Sequence, residues 1–342
     1  MSLLVLKPGL LDTIQDRGRF GHAHLGINPT GVMDIIAMSV SNLLVGNEPD
    51  EAVLEMHFPA PRLRFESAAF FALAGADFDA RLDGQAVPAH TPVVVAAGAV
   101  LEFLKSLSGA RCYLAVSGGF EMEPWLASRS TNLAVQAGGF HGRALQTDDV
   151  LPFRRATDYG DILKGKKVIV FPWKADVRGL YPGDETLRFF PGAEYEWLTP
   201  ESKERLVTTH WKITRQSDRM GYRVEGPALA RNEAVELVSS AVVPGTIQLL
   251  PNGQFIILMA DCQTTGGYPR IGHVIGTDLP GLAQMRAGDS FGLQKVDLQA
   301  AVAAKAGQKL GLLRMRYGSY FMQISSVKIL PIHQNKGLWR TH

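Results

Sequence analysis

Short apolar runs bounded by Gly, Pro, Asn or Asp make up most of the hydrophobic pattern of this chain. Their length and their alternation with polar positions predict β-strands rather than helices. Asp83-Gly84 and Asn252-Gly253 each lie between two such runs and are typical of hairpin turns. The pattern therefore predicts a mainly β protein, with barrels or sandwiches as the natural architectures. The segments predicted to contain strands are 1–9, 62–75, 80–104, 110–120, 167–173, 187–192, 212–226, 246–260 and 272–276.

Helical periodicity is confined to a few segments. The best candidate begins after Asp34, a plausible N-cap, and ends near Gly46. One or two short helices are expected within 193–209, a short one within 279–288, and a stronger terminal one over 297–318.

The length of 342 residues suggests about two domains of roughly 150 residues each. A weak internal repeat supports a division into two domains. Three segments each place a turn before a short strand that ends in apolar residues, and they are 95–103, 145–153 and 285–293. The charged, Gly-containing segment 153–167 is the expected linker. We therefore expect an N-terminal β domain over 1–155, a C-terminal barrel domain over 166–300, and a helix and tail over 301–342.

Composition narrows the class of protein. Hydrophobic residues make up 46% of the chain and charged residues 20%, and the formal net charge is only +2, so neither nucleic acid nor an anionic membrane is an expected partner. Cys112 and Cys262 both adjoin apolar runs, which favours buried reduced thiols over a disulfide. We expect no metal site, because no Cys/His cluster has zinc-ligand spacing. No signal-peptide pattern or membrane-length apolar run is visible, so a cytoplasmic protein is expected.

Three polar clusters stand out from this β pattern. They lie at 13–34, 215–227 and 260–275, and each combines charged or amide side chains with Gly. Their candidate residues are Gln15, Asp16, Arg17, Arg19, His22, His24 and Asp34 in the first, Ser217, Asp218, Arg219, Tyr222 and Arg223 in the second, and Asp261, Gln263, Thr264, Thr265, Tyr268, Arg270 and His273 in the third.

The third cluster has the most suggestive chemistry. Asp261 follows a predicted buried strand, where a carboxylate can act as a base or orient Arg270. Gly266 and Gly267 leave backbone N–H groups accessible to an oxyanion. Arginine reads carboxylates through paired hydrogen bonds, and Gln263, Thr264 and Thr265 suit an amide or urea-like substrate.

Structural roles compete with these functional ones. Asp218 and Arg219 also fit a surface ion pair, and Asp34 fits a helix cap better than a catalyst. Tyr268-Pro269 is compatible with a simple turn. The chain has no GxxxxGK[ST] loop, no GxGxxG opening a helix after a strand and no GxSxG elbow, so an active site shared with another protein is indicated.

A string of motifs gives the chain a family resemblance. It resembles the family of KipA or PxpC proteins, the C subunits of 5-oxoprolinase, and the allophanate hydrolase subunit 2 region of urea carboxylase. The matching pieces keep their order from about residue 9 to about 295, and no motif matches in 296–342. They are TIQDRGRFGHAHLGINPTGVMD, SNLLVGN, LAGADF, YLAVSGGF, SRST, GGFHGRAL, SDRMGYRVEGP, VVPGTIQLLPNGQ and ADCQTTGGYPRIGHVI.

The resemblance implies tandem cyclophilin-like β-barrel domains with a few short helices. It implies a hydrolase subunit, inactive alone, of an ATP-dependent 5-oxoprolinase that works with PxpA-like and PxpB/KipI-like subunits, which would handle ATP jointly with it. The alternatives are a biotin-dependent carboxyltransferase component, in which biotin would be the cofactor, and a non-catalytic regulator that binds a KipI-like kinase inhibitor.

Family motifs and side-chain chemistry together give a candidate site. Asp261, Arg270, Asp218 and Arg219 are the expected catalytic residues. The expected substrate-binding residues are Gln263, Thr264, Thr265, Gly266, Gly267, Tyr268, Tyr222 and Arg17, with Asp16 as a weaker candidate. Cys262 stands where the family pattern suggests Arg or His, which weakens any role for that position.

Overall fold

A computed structural model describes residues 1–155, 158–183, 185–232 and 237–327 of the protein. They form a sheet unit followed by a barrel unit, with a long helix after the barrel. The sheet unit contains β1 Ser2–Lys7, β2 Asp12–Gln15, α1 Ile35–Leu44, β3 Val53–His57, β4 Arg62–Phe65, β5 Ala69–Asp77, β6 Ala80–Leu82, β7 Gln85–Ala86, β8 Pro92–Val95, β9 Val100–Phe103, β10 Ser108–Val116, β11 Val150–Pro152, α2 Gly160–Leu163 and β12 Val168–Val170.

The remaining elements form the barrel unit and the terminal helix. They are β13 Thr186–Pro191, α3 Pro200–Thr208, β14 Trp211–Ile213, β15 Gly221–Glu225, β16 Ser240–Ala241, β17 Thr246–Leu249, β18 Phe255–Leu258, β19 Thr265–Gly266, β20 Arg270–Val274, α4 Leu279–Ala283, β21 Ser290–Lys295 and α5 Leu298–Val327. Short 3-10 turns lie at Ala23–Leu25 and Tyr195–Trp197.

Two six-stranded sheets pack face to face in the sheet unit. Their strand orders are β11-β1-β4-β9-β6-β7 and β12-β8-β5-β10-β3-β2. On β5, Phe71 and Leu73 point into the core between the sheets, while Phe70 and Ala72 point to the opposite face. This period of two shows that the second sheet is buried on both faces, which accounts for its nearly continuous apolar strands.

The outer face of the second sheet is covered by α1, and α5 packs over α1. Asp34 caps α1, since its Oδ1 accepts hydrogen bonds from the amides of Ile36 and Ala37, both at 2.9 Å. At the other end of α1, Gln323 of α5 donates from Nε2 to the carbonyls of Leu43 and Leu44, both at 3.0 Å. These bonds satisfy carbonyls that the end of a helix leaves without partners.

Seven strands of the barrel unit close on themselves in the order β13-β20-β17-β18-β15-β14-β21. Aromatic side chains fill the interior, with the rings of Trp211 and Phe255 4.7 Å apart at their centroids. Strands β16 and β19 form a separate two-stranded ribbon outside the barrel.

The mainly β prediction is confirmed, and a closed barrel forms the second unit. The helix after Asp34 and the hairpin turns at Asp83-Gly84 and Asn252-Gly253 are where they were predicted, joining β6 to β7 and β17 to β18. Cys112 and Cys262 are buried free thiols.

The terminal helix is longer than predicted. It runs to Val327 because Ser319 and Gln323 continue the face that packs on the sheet unit, so the helix passes Gly318 without ending. Strand β12, which lies inside the range 166–300, pairs with β8 of the sheet unit. Residues 156–157 of the predicted linker and 328–342 of the predicted tail lie outside the described residues.

Within the described ranges, none of the helices combines the length and the apolar character needed to cross a membrane. Over those same ranges, His, Cys, Asp and Glu side chains do not gather in threes as a metal site would require.

Candidate functional site

Arg219 is the centre of a charged cluster at the contact between the sheet and barrel units. Its Nε and Nη2 donate to the two carboxylate oxygens of Asp261, at 2.8 and 3.1 Å. Its Nη1 donates to Glu55 on β3, and its Nη2 also donates to the carbonyl of Gly31, at 2.6 Å. The guanidinium therefore joins the second and third polar clusters of the barrel unit to the sheet unit.

Burial makes this cluster electrostatically strong. The side chain of Arg219 is 5% exposed and that of Glu55 is fully buried, whereas Asp261 keeps 17% exposure. Burial alone would lower the pKa of Arg219, but the charges of Asp261 and Glu55 outweigh it and hold the pKa above its ordinary value. Burial would raise the pKa of Glu55, yet Arg219, with His57 and Arg111, holds it below its usual range. Arg219 and Glu55 are therefore ionised at neutral pH. Asp261 is the member of the cluster that reaches solvent.

The first polar cluster reaches the same place through its loop. Asn28 donates from Nδ2 to the backbone carbonyl of Asp261 at 2.9 Å, and Asn132 donates to Asn28 Oδ1 at 2.8 Å. The amide of Met33 donates to Glu55 at 2.9 Å. The structure thus brings the predicted loop 13–34 against Asp261 and Arg219 of the same chain.

Residues after Asp261 form an exposed loop tied down by the small ribbon. Thr265 and Gly266 pair with Ala241 and Ser240, and Gln263, Gly267 and Tyr268 are exposed. Gly266 lies so close to Gln248 that a Cβ there would meet its Nε2 at 2.5 Å. The loop that follows Asp261 therefore presents polar groups to solvent.

Cys262 points the other way from this loop. It is buried against Val242 and Leu258, and burial raises the pKa of its thiol to about 12. The thiol is therefore protonated, and Cys262 packs as an apolar side chain rather than acting as a nucleophile.

Four predicted site residues lie apart from the Arg219 cluster. Arg270 forms a pair with Glu194 on the barrel, with Nη2 to Oε1 at 2.7 Å. Asp218 is exposed and accepts from the amides of Met220 and Gly221 in its own turn. Tyr222 is buried with its hydroxyl accepting from Arg111 at 2.6 Å, and Arg17 is exposed. The hypothesis that Asp261 orients Arg270 is wrong in this structure, because Asp261 pairs with Arg219.

Asp16 and Arg19 have structural partners in the sheet unit. Asp16 accepts hydrogen bonds from the hydroxyls of Ser128 and Ser130, at 2.7 and 2.6 Å. Arg19 is buried, donates to Thr30 at 2.9 Å and lies 4.5 Å above the ring of Trp125. These bonds fix the loop 13–34 against the segment around Ser130.

Sequence reasoning missed Glu55, Asn28 and Arg111. Glu55 stands in the apolar strand VLEMH and has no local signal other than being a charge among buried neighbours. A charge at such a position needs a partner, which is the signal that could have singled it out. Arg111 similarly donates across the unit boundary, to Tyr222 and to the carbonyl of Ala283 at 2.6 Å.

Known proteins are similar to this chain in sequence and in fold. The family model "Carboxyltransferase domain, subdomain A and B" matches residues 25–295. The chain is 36% identical to the C subunit of 5-oxoprolinase from Escherichia coli, over 90% of this chain and 95% of that protein. It is 28% identical to urea amidolyase of Saccharomyces cerevisiae, over 96% of this chain and 18% of that protein.

A solved structure has the same architecture. The crystal structure of the K. lactis urea amidolyase matches with a TM-score of 0.83 at 24% identity, covering 92% of this chain and 20% of the other. That likeness concerns the fold, and the sequence matches carry the family assignment. The chain therefore belongs to the carboxyltransferase-domain family with subdomains A and B, which includes the 5-oxoprolinase C subunit and the homologous region of urea amidolyase.

Proposed function

We propose that this protein is the PxpC-type subunit of an ATP-dependent 5-oxoprolinase, which opens the cyclic amide of 5-oxoproline to glutamate together with PxpA-like and PxpB/KipI-like subunits. The observation that carries the proposal is the 36% identity to the E. coli 5-oxoprolinase protein, which extends over 95% of its length. In this proposal the chain is inactive alone and acts in the cytoplasm.

Asp261 is the residue to which we assign proton transfer or water positioning. Its carboxylate is partly exposed, and two hydrogen bonds from Arg219 fix its orientation. Each carboxylate oxygen has a further lone pair for a water or a substrate N–H. Ring opening adds one water across the C–N bond of the lactam, and a held carboxylate beside the exposed loop is suited to position that water.

Arg219 acts in this proposal by positioning Asp261. Glu55, Asp261 and the Gly31 carbonyl occupy its donors, so it has little capacity left for a substrate carboxylate. Recognition of the lactam falls to the neutral groups of the loop: Gln263, Thr264, Thr265, and the backbone of Gly266 and Gly267.

We assign ATP binding to the partner subunits. No phosphate-binding loop of the GxxxxGK[ST] type occurs in the sequence, and Arg219 and Arg270 are each paired with carboxylates of this chain. These residues do not fit a triphosphate, so we derive no step through ATP on this chain.

A biotin-dependent carboxyltransferase component acting on a urea-type amide is the second candidate. The family model and the 28% identity to yeast urea amidolyase favour it. In that case the same loop would meet the amide, and biotin would arrive on a carrier protein. The non-enzymatic candidate is a regulator that binds a KipI-like inhibitor and catalyses no reaction.

Reconstitution with the two partner subunits tests the proposal. The complete mixture should release glutamate from 5-oxoproline only when ATP is present. Asp261→Asn should lower kcat by at least about tenfold, a loss of roughly 1.4 kcal/mol of transition-state stabilisation, while still co-purifying with the partners. Asp218→Asn, at an exposed turn in the neighbouring segment, is the matched control and should stay within about twofold.

Three outcomes would point elsewhere. Turnover that depends on a biotinylated carrier, with no glutamate release, would favour the carboxyltransferase. The regulator would be favoured if the protein turned over neither substrate but still blocked a kinase inhibitor, and if Asp261→Asn kept that effect. Equal loss in Asp218→Asn and Asp261→Asn would remove the role assigned to Asp261.

A further inference from the structure

Within the part of the chain that the structure describes, the terminal helix α5 packs on the rest of the protein through one face. Gln308 donates to the carbonyls of Leu180 and Thr277, and Gln323 donates to those at the end of α1. Leu312, Met315 and Ser319 continue the same inner face. The family match ends at residue 295, before this helix begins.

The opposite face of α5 carries an apolar and aromatic surface, which we call the outer stripe. Every member of the stripe is between 40% and 69% exposed. Single exposed apolar residues are ordinary, but a contiguous row of six on one helix indicates a contact surface. The outer stripe consists of Leu310, Leu313, Tyr317, Tyr320, Phe321 and Ile324.

The spacing within the outer stripe is that of a helix-pairing seam. Leu310, Tyr317 and Ile324 follow one another at seven residues, and Leu313 and Tyr320 fill the second position of the same heptad. Such a repeat presents a narrow row of knobs to one facing helix. From Leu310 to Ile324 the seam is about 21 Å long, enough for two heptads of a partner.

Charges beside the seam select the partner. Lys309 and Arg316 flank it on one side and Arg314 on the other, and the sequence from Leu298 to Val327 contains four basic residues and no Asp or Glu. Arg316 also pairs with Glu48 at 3.0 Å. Flanking charges of a paired helix set the choice of partner, so the basic flanks of α5 favour a partner helix with acidic flanks.

The basic residues of α5 also argue against two other occupants of the outer stripe, a second copy of this chain and residues 328–342. A second copy of α5 would bring basic edges together, which is repulsive. Residues 328–342 of this chain, KILPIHQNKGLWRTH, contain three Lys or Arg and no acidic residue, so they carry the same sign as the seam.

We propose that the outer stripe of α5 docks an amphipathic helix of another protein, with aliphatic residues along its seam and Asp or Glu on its flanks. This surface is separate from the Arg219 cluster, and the inference does not depend on the proposed reaction.

A pair of synthetic helical peptides tests the proposal on the full chain. Both have about four heptads with Leu at the seam positions; one has Glu and the other Lys at the flanks, so neither pairs with itself at neutral pH. In fluorescence anisotropy titrations the Glu peptide should bind at least about tenfold more tightly than the Lys peptide, a difference of roughly 1.4 kcal/mol. Its affinity should fall as salt rises.

Variants place the binding on the seam. Tyr317→Ser combined with Ile324→Ser should weaken the Glu peptide at least about tenfold, again roughly 1.4 kcal/mol. Leu298→Ser combined with Val302→Ser removes exposed apolar residues of the same helix outside the seam and should leave affinity within about twofold. Lys309→Glu combined with Arg314→Glu should reverse the preference towards the Lys peptide. Circular dichroism checks that each variant keeps its fold.

Four results would overturn the proposal. They are equal binding of both peptides or of neither; co-sedimentation with phosphatidylserine vesicles in place of peptide binding; a dimer in sedimentation velocity that the Tyr317→Ser/Ile324→Ser variant abolishes; and peptide binding that appears only after residues 328–342 are deleted. The last three would assign the stripe to a lipid surface, a second copy or the chain's own tail.

Discussion

Arg219 and Arg270 are both paired with carboxylates, yet they sit in different surroundings. Arg219 is almost fully buried, holds two carboxylates and links the two units. Arg270 is 27% exposed at its side chain and pairs with Glu194 within the barrel unit alone. Two loops of similar composition therefore supply charge clusters with different roles. The Arg219 cluster links the two units, and the Arg270 pair lies within one of them.

The difference follows from burial and connectivity. A charge taken from water must be compensated fully, so removing one member of a buried set leaves the others stranded. Arg270 keeps 27% of its side chain exposed and Glu194 keeps 7%, so water can reach the arginine side of this pair when one member is lost. The Arg219 cluster should therefore respond far more strongly to mutation than the Arg270 pair.

Replacing each arginine with methionine gives the largest expected contrast. Arg219→Met should lower the free energy of unfolding by about 3–5 kcal/mol, because Glu55 and Asp261 lose their shared counter-charge. Arg270→Met, the matched control, should cost about 1 kcal/mol or less. Guanidinium unfolding followed by tryptophan fluorescence measures both. Equal losses would show that the two sites are energetically alike, and for a poorly folding Arg219→Met, Arg219→Lys supplies the measurement.

Removing the carboxylate charges has a smaller effect that depends on pH. Glu55→Gln should cost about 2 kcal/mol at pH 7, against about 1 kcal/mol or less for Glu194→Gln. The folded pKa of Glu55 lies below its ordinary value of 4.5, so its contribution is present above that value and lost as pH falls through the folded pKa. Unfolding at a series of pH values should show the Glu55→Gln difference constant from pH 8 to about 5 and shrinking in more acid solution. A difference that grew with acidity would contradict this sign.

Added salt should give the smallest difference in stability between variants of the Arg219 cluster and of the Arg270 pair. Raising NaCl from about 0.05 M to 1 M should reduce the stabilisation lost in Arg270→Met by a few tenths of a kcal/mol, because Arg270 is 27% exposed and its charge is partly screened by ions. The loss in Arg219→Met should change less, since its partners are shielded from ions. Matched unfolding series at the two salt concentrations measure this, and a larger salt effect at Arg219 would reverse the comparison.

Local signals explain which parts of the fold could be predicted. Asp34, followed by an apolar periodic run, is sufficient to start α1, and Asp83-Gly84 and Asn252-Gly253 are sufficient to turn a strand back on itself. Each of these features is decided within a few residues. Gly318 misled the prediction of the helix end because packing of Ser319 and Gln323 overrides its low helix propensity.

The site was only partly predictable, because its partners are far apart in sequence. Asp261 and Arg219 could be named from their loops, and the structure brings them together across 42 residues. Glu55 lies 164 residues from Arg219 in an otherwise apolar strand, so nothing near it announces the pair. Arg270 had the same appearance as Arg219 in the sequence, and only the folded chain shows that Arg270 pairs with Glu194 while Arg219 is buried between Glu55 and Asp261.

The ribbon of β16 and β19 gives the loop after Asp261 a kinetic character of its own. Two residue pairs and a bond of 3.1 Å from the Val242 amide to the Thr264 carbonyl tie it to the barrel unit, while the Asp261 amide donates to the Arg219 carbonyl at 2.8 Å at its base. Amide hydrogens held by so short a ladder exchange through brief local openings, long before the protein unfolds. We therefore expect the amides of this loop to exchange sooner than those of the barrel strands, while the bonds from Arg219 hold Asp261 in place.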